Sequence, residues 1–180
     1  MSEWVTAFAP ASIGNVAVGF DMLGLALEGV GDRERARRVD DEGVEIAEVR
    51  GQDGDIHPYL STDPTSNTAS IAAQALWGAQ GADGGLEISV LKGIPLQSGM
   101  GSSAASAVAA VVAAKALLDA PLERKDLLAY ALIGEQYASG GLHADNVAPS
   151  LLGGLVLCPQ ILLPEVRRLP VPDGLSAVLV

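Results

Sequence analysis

A segment rich in glycine and serine, between a strand pattern and a helix pattern, constrains the fold more than any other feature. It reads Pro95-Leu96-Gln97-Ser98-Gly99-Met100-Gly101-Ser102-Ser103-Ala104-Ala105. Alternating apolar residues over 86–90 predict a half-buried strand before it, and an alanine- and valine-rich run to about residue 118 predicts a buried helix after it. Glycines allow positive φ angles and a close approach to a ligand, and a helix start offers unpaired N–H groups. The sequence therefore predicts an anion-binding loop, with Ser102 and Ser103 as caps or further donors.

Three other interpretations of this loop compete with that one. A Walker A loop is excluded, because no lysine follows Gly101. The dinucleotide pattern matches on paper at Gly99, Gly101 and Ala104, but Asp119 follows the helix directly and leaves no room for the second strand that should carry it. A plain turn that caps a buried helix remains open as the third interpretation.

The order of the predicted elements indicates an α+β fold. Strands are predicted over 5–9, 22–27, 44–49, 86–90, 153–157 and 175–180, with a small-residue loop over 11–21. Helices are predicted after Asp63-Pro64, after the glycine loop, and from Pro121 to about residue 138. Strands come first and helices mix with strands later, which differs from a regular βαβ repeat.

Charge and cysteine content limit the classes of partner. The 180 residues carry 22 acidic and 11 basic side chains, a net charge of −11, so nucleic acid is not an expected partner. The acid-rich stretch 28–63 is predicted to be a solvated surface. Cys158 is the only cysteine, which excludes an intrachain disulfide and fits a cytoplasmic protein. The first residues lack a signal-peptide pattern, and the apolar run 104–114 is too short to cross a bilayer, so no membrane partner is expected.

Polar residues in apolar surroundings mark three further candidate positions. In the loop 11–21, Asp21 could bind a substrate ammonium or hydroxyl group, or could cap a turn. Glu135 falls on the apolar stripe of its predicted helix, which a Mg²⁺ ligand would explain, unless the helix has already reached solvent. His143-Ala144-Asp145-Asn146 suggests a site loop, or else a turn into a helix.

Taken together, these segments resemble the GHMP kinases, and among them the homoserine kinases. The glycine loop is similar to the family motif Pro-x-x-x-Gly-Leu-Gly-Ser-Ser-Ala-Ala, with Met100 at the usual leucine. Residues 10–21 are similar to the first family motif, from which Gly14 and Ala17 depart. Gly134-Glu135 with 143–149 matches a homoserine kinase signature, and Asp63-Pro64 with Asn67 matches the segment that borders the adenine. The resemblance covers nearly the whole chain.

The resemblance implies a fold and an activity. The fold is a two-layer GHMP-kinase N-terminal domain over 1–160, like the second domain of ribosomal protein S5. A connector and the first strand of a shortened, ferredoxin-like C-terminal domain would follow over 161–180. The activity is ATP-dependent phosphorylation of the side-chain hydroxyl of L-homoserine to O-phospho-L-homoserine, in threonine biosynthesis. Because the family has a further C-terminal half, this 180-residue chain is expected to bind its substrate weakly.

The resemblance also implies roles for individual residues. Asn15, Asp21 and His143 would hold homoserine. The ATP site would comprise Asn67, Pro95, Ser98, Gly99, Met100, Gly101, Ser102, Ser103 and Ala104. Ser103 and Glu135 would hold Mg²⁺. Asn146 stands where related kinases carry a catalytic base, and its amide would act by positioning. Another GHMP small-molecule kinase and a non-catalytic nucleotide-binding module remain open as alternatives, and so does a homodimer.

Overall fold

A mixed six-stranded sheet with four α-helices forms the structure, a computed structural model that describes residues 3–178. The strands are β1 (Val5–Ile13), β2 (Leu23–Val39), β3 (Gly43–Arg50), β4 (Gly85–Leu91), β5 (Leu155–Leu157) and β6 (Arg167–Leu169). The helices are α1 (Thr68–Ala79), α2 (Ser102–Ala116), α3 (Leu128–Ser139) and α4 (Ala144–Leu152). Short 3₁₀ turns cover Arg124–Leu127 and Gln160–Leu162. The α+β class predicted from the sequence is confirmed.

The long strand β2 holds the sheet together. β1 pairs antiparallel with it along one edge, while β4 and β5 pair antiparallel with different parts of its other edge. β3 joins β4 in parallel, and β6 joins β5 antiparallel. One face of the sheet is buried under the helices and the other is solvated, so the fold has two layers. β2 and β1 thereby pack against α2, and the end of β4 leads into the segment before α2.

The helical layer is packed closely because it is built mainly from alanine. α2 packs against α1, α3, α4 and strands β1 and β2. Its residues from Ala104 to Ala114 are buried almost without interruption. Gly134 on α3 allows a similar approach, since a Cβ atom there would lie 2.6 Å from the carbonyl oxygen of Thr68. Small side chains therefore fill most of this core, and Trp77 on α1 is its one buried aromatic residue among the described residues.

Several element boundaries differ from the sequence predictions. The strands predicted over 44–49 and 86–90 are confirmed, but β1 runs on to Ile13, and β2 continues to Val39 through the stretch predicted to be solvated. Its inward side chains, among them Asp32 and Glu34, are fully buried. α1 starts at Thr68 rather than near Pro64, because Asp63 caps a separate turn and accepts the Thr65 N–H at 2.9 Å.

The C-terminal segment also departs from the prediction. Residues 175–178 form no strand, and 179–180 lie outside the described residues. β6 was not predicted, and it extends the sheet from β5. The division of the chain into two domains at residue 160 stays a prediction. Within residues 3–178, no helix has the length and apolar character that crossing a bilayer requires.

Candidate active site

The predicted anion-binding loop lies between β4 and α2. Gly99 and Gly101 adopt the left-handed conformation, with φ angles of +72° and +67°, and Gln97 does so at +59°. Gly101 is the N-cap of α2 and offers no side chain to the first-turn amides, so neither Ser102 nor Ser103 is the cap. The amides at the start of α2 are left for an external acceptor, which is the arrangement that binds phosphate.

A cavity of about 500 Å³ opens beside this loop. Eight residues of the predicted site line it: Asn67, Ser98, Gly99, Gly101, Ser102, Ser103, Glu135 and Asn146. Pro95 lines a neighbouring depression, and Ala104 is fully buried in α2. Met100 packs against the core, and its carbonyl oxygen accepts the Ser12 N–H at 3.1 Å. The cavity therefore gathers most, but not all, of the residues predicted for ATP and metal.

Glu135 faces into this cavity from α3. It is 7% exposed, and its Oε2 atom has no hydrogen-bond partner among the described residues. Burial raises the pKa of this carboxyl, and a hydrogen bond with Ser103 partly offsets that effect. The inward orientation predicted from the helical stripe is confirmed, and the alternative that the helix has reached solvent is wrong.

Asn67 lines the cavity but is also a structural residue. Its Oδ1 atom caps α1 by accepting the Ala69 N–H at 3.0 Å, and its Nδ2 atom donates to the Ser61 carbonyl oxygen at 2.9 Å. These two bonds fix the side-chain amide in one orientation. Asn67 therefore forms a fixed part of the cavity wall.

A second polar cluster, formed by Asp21, His143 and Asp145, lies outside the cavity lining. Ligand atoms of the three side chains are within 4.8 Å of one another, and His143 Nδ1 is 3.5 Å from Asp21 Oδ1. Asp145 is 1% exposed, whereas the other two are partly exposed. Burial raises the pKa of Asp145, and the bond it accepts from the Asn15 N–H lowers it. Two carboxyl groups and an imidazole could together hold a cation, either a metal ion or an ammonium group.

The loop that carries Asn15 and Asp21 is held in an uncommon conformation. Asn15, Val16, Ala17 and Asp21 all have positive φ angles, of 67°, 34°, 57° and 53°. The Asn15 N–H donates to Asp145 Oδ2 at 2.9 Å, and Asn15 Oδ1 accepts the Asp21 N–H at 3.0 Å. Such conformations persist where surrounding contacts enforce them. At Ala17, one of the two positions that departs from the family motif, the backbone adopts a φ angle that favours glycine.

Helix α4 joins the cluster to the cavity. The segment 143–146 is not a loop: His143 is the N-cap of α4, and the helix begins at Ala144. Asn146 therefore follows the buried Asp145 on the first turn and reaches the cavity, where its Oδ1 atom accepts the Ser12 hydroxyl at 2.9 Å. Asn146 thus stands between the cavity and the cluster of Asp21, His143 and Asp145.

Sequence reasoning missed a third group of residues. Asp32, Lys92 and Ser106 form a buried hydrogen-bonded cluster beneath the glycine loop. Lys92 and Ser106 also line the cavity. The period-two spacing of Asp32, Glu34 and Ala36 was the available signal, but it was masked by the surrounding charges of the acid-rich stretch. Asp145 was likewise noted in the sequence but not assigned to the site.

Comparison with known proteins identifies the fold and several relatives. Residues 67–154 match the GHMP kinases N terminal domain. A homoserine kinase of Xylella fastidiosa strain M12 is 48% identical over 174 residues, which are 97% of this chain and 52% of that protein. A homoserine kinase of Chloroherpeton thalassium is 45% identical over 163 residues, which are 85% of this chain and 50% of that protein. The chain therefore spans about half the length of these relatives.

Solved structures agree with the sequence relatives. The crystal structure of a homoserine kinase from Cytophaga hutchinsonii superposes with a TM-score of 0.86 at 45% identity, over 96% of this chain and 53% of that one. A mevalonate kinase from Methanococcus jannaschii superposes with a TM-score of 0.68 at 12% identity, over 94% of this chain and 56% of that one. The second likeness extends to the fold alone.

Proposed function

The chain carries the N-terminal domain of the GHMP kinases, and on this premise we propose that the protein transfers the γ-phosphoryl group of ATP to the side-chain hydroxyl of L-homoserine. The product, O-phospho-L-homoserine, is an intermediate of threonine biosynthesis. One observation supports the proposal: the cavity beside the glycine loop and the Asp21, His143 and Asp145 cluster meet at the first turn of α4, where Asn146 stands between them. The names of relatives at 45–48% identity favour homoserine over the substrates of other GHMP kinases.

The cavity would hold the nucleotide. The ATP phosphates would bind the amides and hydroxyls from Ser98 to Ser103, where the helix N-terminus favours negative charge. The adenine would lie toward Asn67, next to the apolar side chains of Leu60 and Ala138. Because binding uses backbone amides rather than basic side chains, it is compatible with the chain's net charge of −11.

Ser103 and Glu135 would hold Mg²⁺. The buried Oε2 atom of Glu135 has no hydrogen-bond partner among the described residues. The Ser103 hydroxyl interacts with the same carboxyl group. Oxygen donors of this kind suit Mg²⁺. When bound, the ion neutralises phosphate charge during transfer. A bound cation would also lower the pKa of Glu135 and keep the carboxyl ionised.

The second cluster would hold homoserine. Asp21 and Asp145 would face its ammonium group, and His143 and Asn15 would supply hydrogen bonds to its polar head. Asn146 carries an amide, which cannot remove a proton at neutral pH, so it would orient the hydroxyl rather than act as a base. Positioning and charge stabilisation account for most of the catalysis in phosphoryl transfer.

An ADP-release assay with Mg²⁺ and ATP tests this function. L-homoserine, mevalonate and shikimate are offered separately, and nucleotide affinity is measured in parallel by calorimetry. In a protein of its relatives' full length, we expect ADP release with L-homoserine alone, and Asp21→Asn should lower kcat/KM for homoserine by about 30- to 1000-fold, as for a charged partner left unpaired. Asp83→Asn, a surface change, is the control.

The possible outcomes separate the alternatives. Nucleotide binding without homoserine-dependent turnover would favour a nucleotide-binding module. Turnover with mevalonate or shikimate would favour another GHMP kinase. A cytoplasmic location and a homodimer stay predictions of the sequence.

A further inference from the structure

A buried polar cluster lies beneath the glycine loop and has no place in the proposed transfer itself. Asp32 and Glu34 on β2 are fully buried, and Lys92 and Ser106 are each 4% exposed. Charged groups in such surroundings are unfavourable unless they are paired and hydrogen-bonded. Both carboxyl groups lie near Lys92 and Ser106, but only Asp32 makes hydrogen bonds to the backbone at the start of the glycine loop, and this difference indicates what the cluster does.

Asp32 uses its whole carboxylate. Oδ1 accepts the N–H groups of Gly93 at 2.8 Å and Ile94 at 3.0 Å. Oδ2 accepts the Ser106 hydroxyl at 3.0 Å and is paired with the Lys92 ammonium. One carboxylate therefore holds the backbone that enters the glycine loop and a side chain of the helix that leaves it.

Lys92 completes the link between the two ends of the loop. Besides Asp32, its Nζ atom donates to the Ser102 carbonyl oxygen at 2.9 Å and to the Ser106 hydroxyl at 2.8 Å. An ammonium group has three donors, and all three are engaged. Lys92 lines the cavity, yet in this arrangement it has no donor left for a ligand, and Asp32 balances its charge.

We propose that Asp32 is a positioning residue for the nucleotide: through Lys92 and Ser106 it fixes both ends of the glycine loop, so that the amides of the first turn of α2 face the cavity before ATP binds. This inference rests on the proposed function for the identity of the ligand. A loop that is already ordered loses less conformational freedom on binding, and this advantage appears as affinity.

Glu34 supplies a matched control. It lies on the same face of β2, two positions along, and is equally buried, but neither of its carboxyl oxygens has a hydrogen-bond partner among the described residues. A change at Glu34 alters a buried acid that interacts with Lys92 and Ser106 but makes none of the hydrogen bonds that Asp32 makes to the Gly93 and Ile94 amides. A change at Asp32 removes the link itself.

The experiment compares Asp32→Asn, Ser106→Ala and Glu34→Gln with the unmodified protein. Asp32→Asn keeps an oxygen for the two amides, but its NH₂ group cannot accept from Lys92 or Ser106. Calorimetry with Mg²⁺ and ATP should show affinity falling by about tenfold or more in Asp32→Asn and by about threefold in Ser106→Ala. Glu34→Gln should bind ATP within about twofold of the unmodified protein. Circular dichroism gives the folded fraction of each variant, so that the affinities are compared for folded protein.

Two further measurements separate positioning from general stability. Hydrogen exchange of the 93–103 amides should accelerate in Asp32→Asn and Ser106→Ala but not in Glu34→Gln. In the ADP-release assay the KM for ATP should rise while the KM for homoserine holds. If Asp32→Asn does not fold, Ser106→Ala decides, because it leaves the Asp32–Lys92 pair intact.

The proposal is overturned if the folded variants bind ATP like the unmodified protein, or if Glu34→Gln weakens binding as much as they do. It is also overturned if the unmodified protein binds no ATP. Normal ATP binding without homoserine turnover would contradict the proposed function alone and leave the test of the loop valid.

Discussion

On the buried face of β2, the carboxyl groups of Asp32 and Glu34 have opposite surroundings. Both carboxyl oxygens of Asp32 accept hydrogen bonds, whereas neither carboxyl oxygen of Glu34 has a hydrogen-bond partner of good geometry among the described residues. Burial raises the pKa of Glu34 well above its usual range; Lys92 opposes the shift and Asp32 adds to it. The folded protein therefore favours the neutral form of Glu34 more than the unfolded chain does.

This burial makes stability depend on pH in a defined direction. Glu34 binds its proton more tightly in the folded state than in the unfolded state, where its pKa is about 4.3. The free-energy cost of burying Glu34 is therefore absent below that pH, where the acid is protonated in both states. The cost grows as the pH rises toward the folded-state pKa. Glu34→Met should raise the free energy of unfolding by about 1–3 kcal/mol at pH 8, by removing an unpartnered acid of similar size. The gain should shrink toward pH 4.5 in thermal unfolding curves, and a gain that is independent of pH would contradict this account.

Gly99 and Gly101 should differ sharply when a methyl group is added. Both have positive φ angles, so alanine at either should cost about 1–2 kcal/mol. At Gly99 a Cβ atom meets open space, whereas at Gly101 it would clash with the Ser12 hydroxyl and lie 2.9 Å from Asn146 Oδ1. Gly101→Ala should therefore lose at least twice as much unfolding free energy as Gly99→Ala in urea titrations. Equal losses would show that the Ser12–Asn146 contact yields easily.

Some site residues could be predicted from the sequence because their signal is local. Glu135 falls on an apolar helical stripe, which predicted an inward carboxylate with an exposed helix end as the alternative, and the structure buries it. Asp32 could not be assigned in this way, because its role depends on Lys92, sixty positions further along the chain. A window of neighbouring residues contains the charge of Asp32 but not the partner that makes its burial tolerable.

At the scale of elements, the errors occur where tertiary contacts override local pattern. Around Asp32 and Glu34, arginines alternate with acids, so no apolar face marks this part of β2 as a strand. Its solvated side is held instead by arginine contacts: the Arg33 guanidinium lies over the Phe8 ring, and Arg37 pairs with Glu87. The start of α1 was also displaced, because the cap is Asn67 rather than Asp63.

The N-cap of α1 gives a prediction at this scale. Asn67→Ala should lower the free energy of unfolding by about 1–2 kcal/mol, because the Ala69 N–H loses its acceptor. Asn67→Ser should lose less, because serine also caps helices well. Chemical denaturation of the two variants checks the order. If alanine and serine are equivalent, the cap contributes little and Asn67 is retained for the cavity.

The fold of the whole molecule was more predictable than its parts. The glycine loop requires a strand that delivers it and a helix that receives it, and β4 and α2 supply both. Four motifs in the expected order then constrain the rest of the chain. The sequence could not predict the close packing of the alanine-rich helices. Small apolar residues lie on nearly every side of α2, so the pattern does not show which side faces the sheet.

Cys158 reports on the integrity of the whole packed structure. Its thiol is 1% exposed and lies 3.3 Å from the Met22 carbonyl oxygen, and burial raises its pKa to about 12. Iodoacetamide at pH 8 should therefore leave the folded protein unlabelled and label it fully in urea, with glutathione as the positive control. If ATP binds the folded state, it should slow labelling at intermediate urea. Labelling of the folded protein at the rate of glutathione would contradict the burial.

The hydrogen bond between Asn15 and Asp145 spans 130 residues of sequence. At a synthesis rate of about 5–20 residues per second, the loop around Asn15 waits roughly 6–26 s on the ribosome before its partner is made. The hairpin of β1 and β2 can pair in the meantime, since its strands are neighbours in the chain. The left-handed turns of the loop must wait for α4, so a nascent chain can pair β1 with β2 early, but it completes the Asn15 loop only after α4 is made, shortly before β5 and β6 finish the sheet.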